Sequence, residues 1–238
     1  MCSTRPALFK GRHFQDRLIV LCVRWYLRYC LSLRDLEELM AERGLPVDHS
    51  TIGRWILRYA PELYQRIRRE LRFPNRSWRV DETMIKVAGQ WKYLYRAVDS
   101  RGETIDFLLS ERRDAAAAKL FLRNALAESA PVRPRVINVD GHAAYPPAIS
   151  QLKAEHQLGA HCGCRRAPYL NNVLEQDHRW VKKRIAASLW FRTGETAVCT
   201  IAGYEAMNMI RKGQVRWLNK GDVVGQIAFI EDIFGIAA

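Results

Sequence analysis

Apolar positions recur at helical spacing through residues 16–60. Ile19, Val20, Cys22, Val23, Tyr26 and Leu27 fall near helical spacing over 16–30, with Arg24 and Arg28 elsewhere on the wheel. Ser32 followed by Asp35 is a capping-box-like start, and Leu33, Leu36, Leu39 and Met40 give the next helix its stripe. Gly44-Leu45-Pro46 ends it, because Gly tolerates the left-handed position past a helix and Pro cannot continue one. A third helix starts near Asp48 or Ser50 and carries Ile52, Trp55, Ile56 and Tyr59. Two short helices joined by a tight Gly-containing turn predict a helix-turn-helix over about 32–60.

The stretch 62–72 is dense in Arg, and Pro74-Asn75 punctuates it, which sets a domain boundary there. The period then changes. Residues 78–87, 91–98 and 103–109 read as strands separated by Ala88-Gly89-Gln90 and Asp99-Ser100-Arg101-Gly102 turns. Ala115–Leu126 is helical by propensity, and Arg135–Val139 is an apolar run of the buried parallel-strand kind. Helices follow over 143–155, 171–189 and 196–215, with one further strand possible between the first two; residues about 216–238 are weakly patterned. A three-strand meander, helix, strand and helix is the order of a mixed α/β layer of ribonuclease-H-like type. The expected organisation is an all-α helix-turn-helix domain over 1–73, a catalytic domain with a mixed sheet flanked by helices over 74–215, and a tail over 216–238.

Charge narrows the function. Of 238 residues, 38 are Lys or Arg and 25 are Asp or Glu, a net charge of +13 and a pI near 9.8. Such a balance is the electrostatic footprint of a nucleic-acid binder, shared by some ribosome-associated and membrane-surface proteins. Residues 1–15 show no apolar signal region, and the run Leu18–Leu27, broken by Arg24, falls short of a membrane span of about 20 residues. A cytoplasmic, nucleoid-associated protein with reduced thiols is expected. His161-Cys162-Gly163-Cys164 has the look of half a zinc site, but the missing ligand pair, for which Cys199 and His156 are the only nearby candidates, counts against zinc.

Three acids stand where this architecture gathers side chains. Asp81 interrupts an apolar strand, where a buried carboxylate needs a partner or a cation. Asp140 follows the 135–139 strand, at the strand carboxyl end where open α/β sheets place their sites. Glu175 lies on the 171–189 helix and shares a face with Arg179 and Lys182. Three converging carboxylates hold two hard divalent cations roughly 4 Å apart, the arrangement that drives phosphoryl transfer. Strand alternation turns Glu82 away from Asp81 and sets it outside this site.

The motifs then resemble a known family. FKGRHF at 9–14, VDHSTIGRW at 47–55, YAPEL at 59–63, W-x-V-DET at 78–83 and W-x-YLYRAVDS-x-G at 91–102 recur in order. INVD at 137–140, YLNNVLEQDHRWVKKR at 169–184 and IRKGQ at 210–214 complete the set. The chain thus resembles the DDE transposases of bacterial insertion sequences, in particular the family named after insertion sequence six. The resemblance implies catalytic, metal-binding Asp81, Asp140 and Glu175, two Mg2+ ions with Mn2+ as a substitute, and Lys182 as a residue that meets DNA. It implies binding of terminal inverted repeats, metal-dependent strand cleavage and transfer as in retroviral integrases, replicative cointegrate formation, and at least a homodimer to pair two DNA ends. Pro168 stands where the family has Lys, and Cys164 and Arg166 also depart from its pattern.

In a helix-turn-helix the second helix enters the major groove by its N-terminal residues. These are His49, Ser50, Thr51, Gly53 and Arg54, with Arg58 farther along, and Arg179 and Lys183 join Lys182 as candidate phosphate contacts. Two other readings compete: an inactive DNA-binding regulator derived from a transposase, and a ribonuclease-H-like nuclease with another substrate. The presence of all three acids counts against the first, and the N-terminal helices favour DNA over an RNA–DNA hybrid.

Overall fold

The computed structural model describes residues 5–167, 172–188 and 191–236. Its contacts divide the chain into two units: Phe73–Lys182, and Met1–Arg72 together with Lys183–Ala238. Residues 183–215, grouped with the catalytic domain on sequence, therefore pack with the N-terminal helices. Pro168, at the departure from the family pattern, and the neighbouring YLN of the 169–184 motif lie outside the described residues.

The unit Phe73–Lys182 holds strands β1 (Ser77–Val87), β2 (Gln90–Asp99), β3 (Thr104–Ser110), β4 (Val136–Val139) and β5 (Gly163–Arg166) in the order β3-β2-β1-β4-β5. The first three pair antiparallel, whereas β4 runs parallel to β1 and β5 parallel to β4. This is the expected ribonuclease-H-like mixed sheet. Ala88 and Gly89, both at positive φ, close the β1–β2 hairpin in a two-residue turn whose twist matches the strands. The buried Asp99 carboxylate closes the next turn by accepting from the backbone N–H of Asn75, Arg101 and Glu103.

Helices α4 (Ala115–Glu128) and α5 (Tyr145–Ala154) cover one core. Trp78 and Val80 of β1, Tyr95 of β2, Ile137 and Val139 of β4 meet Phe121, Leu122, Tyr145 and Leu152 there. Each apolar side chain of this size contributes about 1.5–3 kcal/mol on full burial. Asp114 caps α4 by accepting from Ala117 N at 2.8 Å. Helix α6 (Asn172–Ser188) presents Leu174, Asp177, His178 and Val181 as its buried stripe.

In the other unit, α1 (Asp16–Arg28), α2 (Leu33–Ala41) and the start of α3 (His49–Arg68) follow the predicted boundaries closely, but α3 continues through Pro61 and past the expected end near 60 into the Arg-rich stretch. Ser32 and Asp35 form the reciprocal capping box that opens α2. Helix α7 (Gly194–Arg211) is buried on nearly every side from Thr200 to Ile210, so it packs as a core helix. Gly203 permits this: a Cβ there would meet Ala60 Cβ of α3 at 2.5 Å and Leu27 of α1 at 2.7 Å. The segment read as a weakly patterned tail contains α8 (Val223–Ile233), capped by Asp222. Phe234 then packs on Phe9 and Tyr59.

No helix among the described residues is long and apolar enough to cross a membrane. The five described cysteines carry free thiols, and no group of converging metal ligands forms at 161–164 among the described residues.

Candidate active site

The register of β1 and β4 builds the site. Val80 pairs with Val139, the last residue of β4. Asp81 therefore lies one step past the final pair on β1, and Asp140 one step past it on β4. β4 stops at this level while β1 runs on to Val87, so Asp140, one step beyond β4, comes beside Asp81 of the continuing strand. Asp140 is fixed by the turn it starts, its Oδ1 accepting from His142 N at 2.8 Å while Gly141 takes φ 110°. Asp81 Oδ1 accepts from Glu82 N at 2.9 Å.

A third carboxylate joins them, and it is not the one expected. Carboxylate oxygens of Asp81, Glu82 and Asp140 all lie within 4.8 Å of one another. Glu82 does follow strand alternation: it is buried with Trp78 and Val80, on the face opposite Asp81. Beyond the end of β4, however, the carboxylates of both Asp81 and Glu82 come within reach of Asp140. Glu82 accepts hydrogen bonds from Tyr145 Oη and from Arg113 Nε. Arg113 Nη2 also stands 3.5 Å from Asp140 Oδ2.

Glu82 and Asp140 thus share one guanidinium, with Asp81 beside them. Burial, then the charges of Glu82 and Asp140, push the Asp81 carboxyl up to about 7. Burial and the Glu82 charge likewise hold the Tyr145 hydroxyl well above its ordinary value, so it stays a donor. Crowded hard oxygen donors with too little positive charge around them fit a divalent cation of the Mg2+ or Mn2+ kind.

Glu175 lies in the first turn of α6, is exposed, and stands outside this cluster. The helix that carries it is anchored by the buried pair Arg96–Asp177 at 3.2 Å. His178 beside them is held down at about 3 by burial and by Arg96, and so is neutral at pH 7. Arg179, Lys182 and Lys183 are exposed on α6 as expected. Arg184, the end of the same basic run, is buried and donates to the carbonyl oxygens of Leu27 and Arg28 at the end of α1. Burial lowers its pKa to about 10.

The predicted recognition residues divide in two. The Asp48 carboxylate caps α3 by accepting from the N–H groups of Ser50 and Thr51 and from both hydroxyls. His49 Nδ1 lies 3.0 Å from Glu37 Oε2. These three side chains are engaged by the protein itself; Arg54 and Arg58 are exposed, Arg54 with one donor on Thr51 Oγ1. In the 62–72 run, Arg66 and Arg72 donate to the carbonyl oxygens of Ile233 and Gly213.

Sequence reading missed Glu82, Arg113 and Tyr145. A carboxylate at a core-facing strand position needs a buried partner, and Glu82 carried that signal. Nothing marked Arg113 or Tyr145, which come from the loop between β3 and α4 and from the start of α5.

Residues 75–214 match the family model for the DDE domain of IS240-type transposases. Over 210 residues the chain is 36% identical to a Staphylococcus aureus transposase for insertion sequence-like element IS431mec, covering 88% of this chain and 91% of that one. It matches to the same extent the Staphylococcus aureus transposase for insertion sequence element IS257 in transposon Tn4003. Among solved structures, the integrase catalytic core domain of HTLV-2 in complex with magnesium aligns over 61% of this chain and 95% of that one, at TM-score 0.44 and 15% identity.

Proposed function

The chain belongs to the DDE transposases of bacterial insertion sequences, and from that premise we propose that it binds the terminal inverted repeats of its element and catalyses metal-dependent cleavage and transfer of DNA strands. The observation that carries this reading is the convergence of Asp81 and Asp140 where β4 ends beside β1. Asp81, Asp140 and Glu175 would hold the divalent ions, Mg2+ first. Bound there, such ions supply an activated attacking oxygen and a stabilised leaving oxygen for phosphoryl transfer.

The chain's own residues prepare that site. Arg113 offsets the charge of Glu82 and Asp140 and keeps the Asp140 carboxylate toward the strand end. The buried Tyr145 hydroxyl fixes the other oxygen of Glu82. Arg96 anchors α6 through Asp177, which leaves Glu175 exposed on the helix. Lys182, with Arg179 and Lys183, offers positive charge to the DNA backbone.

The helices of the Met1–Arg72 segment are the natural seat of repeat binding, through Arg54 and Arg58 above all. A 3′-hydroxyl freed at the element end would attack a target phosphodiester, leading to a cointegrate. Joining requires two ends held together, so the working form is at least a dimer. Incubating the purified protein with Mg2+ and a labelled duplex carrying the inverted repeat beside its gene tests the reading. Joined product is expected, and binding without joining would turn it toward an inactive regulator.

A further inference from the structure

We propose that the 11–14 loop and one edge of α3 form a cradle for the sugar-phosphate backbone of duplex DNA, a contact beyond the recognition residues read from the sequence. This deepens the DNA-binding reading above and rests on it. A cavity of about 430 Å³ opens between the loop and the helix. On the helix it is lined by Thr51, Arg54, Trp55 and Arg58, whose i, i+3, i+4 and i+7 spacing makes one continuous stripe. Arg12 and His13 face them from the loop.

The charge of the lining points to its ligand. It holds three guanidiniums and an imidazole, and no carboxylate. Arg54 spends one donor on Thr51 Oγ1 at 2.7 Å. Arg12 and Arg58 make no ion pair among the described residues. Forked guanidiniums converging on one space suit phosphate oxygens.

The loop is built in advance. The Arg5 guanidinium donates to the carbonyl oxygens of Arg12 and Phe14, at 2.6 Å each, and to Asp16 at 2.7 Å. Phe14 packs edge-on against Trp55, with ring centroids 5.3 Å apart. Gly11 takes φ +76° with open space about it, which turns the chain into the loop. Phe14 and the buried Trp55 give an apolar floor beneath the cations. The space holds on the order of ten waters at about 30 Å³ each, more than a bare phosphate fills and enough for a phosphate with its deoxyribose.

The test measures binding of the full-length protein to a fluorescein-labelled inverted-repeat duplex and to an unrelated duplex of equal length, between roughly 50 and 200 mM salt. Arg12→Ala is compared with wild type and with Arg123→Ala, an exposed arginine of α4 that controls for net charge. The cradle predicts that Arg12→Ala weakens both duplexes by the same factor and lowers the salt slope by about 0.9, while Arg123→Ala leaves the slope unchanged. Arg12→Gln is the second variant should the alanine lose its helical circular dichroism. Equal behaviour of the position-12 variant and Arg123→Ala overturns the cradle while DNA binding stands. Loss confined to the inverted repeat also overturns it, since the loop would then read bases. Displacement of DNA by inorganic phosphate beyond that by sodium chloride of equal ionic strength means a site for a compact anion, and overturns it too. Wild type that binds neither duplex brings down the DNA-binding reading itself.

Discussion

Arg113 stands 3.5 Å from the Asp140 carboxylate while its Nε is engaged by Glu82. One cation thereby ties an acid of the expected site to an acid the strand pattern had set aside. Glu82 is almost wholly buried and Arg113 is about one-third exposed, so the buried partner depends on the pair more than the exposed one does.

Arg113→Ala is predicted to lower stability by about 1–3 kcal/mol, below the range for fully buried pairs because solvent reaches the guanidinium. Adding Glu82→Gln should return much of that loss, since a neutral amide needs no cation. Urea unfolding of the two single variants and the double variant measures the coupling. Additive losses would mean that the two side chains act independently.

His178 sets a pH dependence of folding. Its pKa falls from the ordinary 6.5 to about 3 in the folded chain, so the folded state binds fewer protons than the unfolded one. The stability this confers is present above about pH 6.5 and is lost as pH falls from there toward 3. His178→Gln cannot take up the proton. Between pH 6.5 and 5 it should lose about 1–2 kcal/mol less than wild type. Parallel stability curves for the two proteins would show that His178 does not carry the effect.

Gly203→Ala tests the close packing of α7 on α3 and α1. Alanine gains up to about 1 kcal/mol in helix propensity over glycine. The new Cβ, however, meets Ala60 Cβ at 2.5 Å, and that atom is fixed to the α3 backbone. Overpacking of this kind costs about 1–3 kcal/mol, so a net loss is expected as a lower urea midpoint. A variant at or above wild-type stability would contradict the packing.

Much of this fold was legible because local chemistry and pattern agreed. Ser32 with Asp35, Ala88-Gly89 between two β-rich runs, and the helix start at Asp48 each announce an element without tertiary help. What failed was the choice of partner. Helix α7 is buried on nearly every side, its polar Glu205 and Asn208 included, so its period identifies a helix but no face, and sequence order alone placed it with the catalytic domain. Asp81 and Asp140 stood out because a carboxylate interrupts or ends an apolar strand. The basic run 182–184 looked uniform, yet Arg184 turns inward to the end of α1 while Lys182 and Lys183 remain exposed. Only the fold distinguishes them.

Lys182 carries the complementary prediction. Its side chain is exposed, so Lys182→Ala should weaken binding of the inverted-repeat duplex and reduce its salt dependence with little change in melting temperature. A large fall in melting temperature with DNA binding retained would mark it as a structural residue.

The central claim is that Asp81 and Asp140 form the working centre of a metal-dependent strand transferase, and the measurement that reaches it most directly is strand joining by Asp140→Asn beside wild type. Both proteins are incubated with Mg2+ and the labelled inverted-repeat duplex, and duplex binding is recorded in the same samples. Joined product from wild type alone, with equal binding by both, is the predicted result. Measurable joining by Asp140→Asn would contradict the assignment.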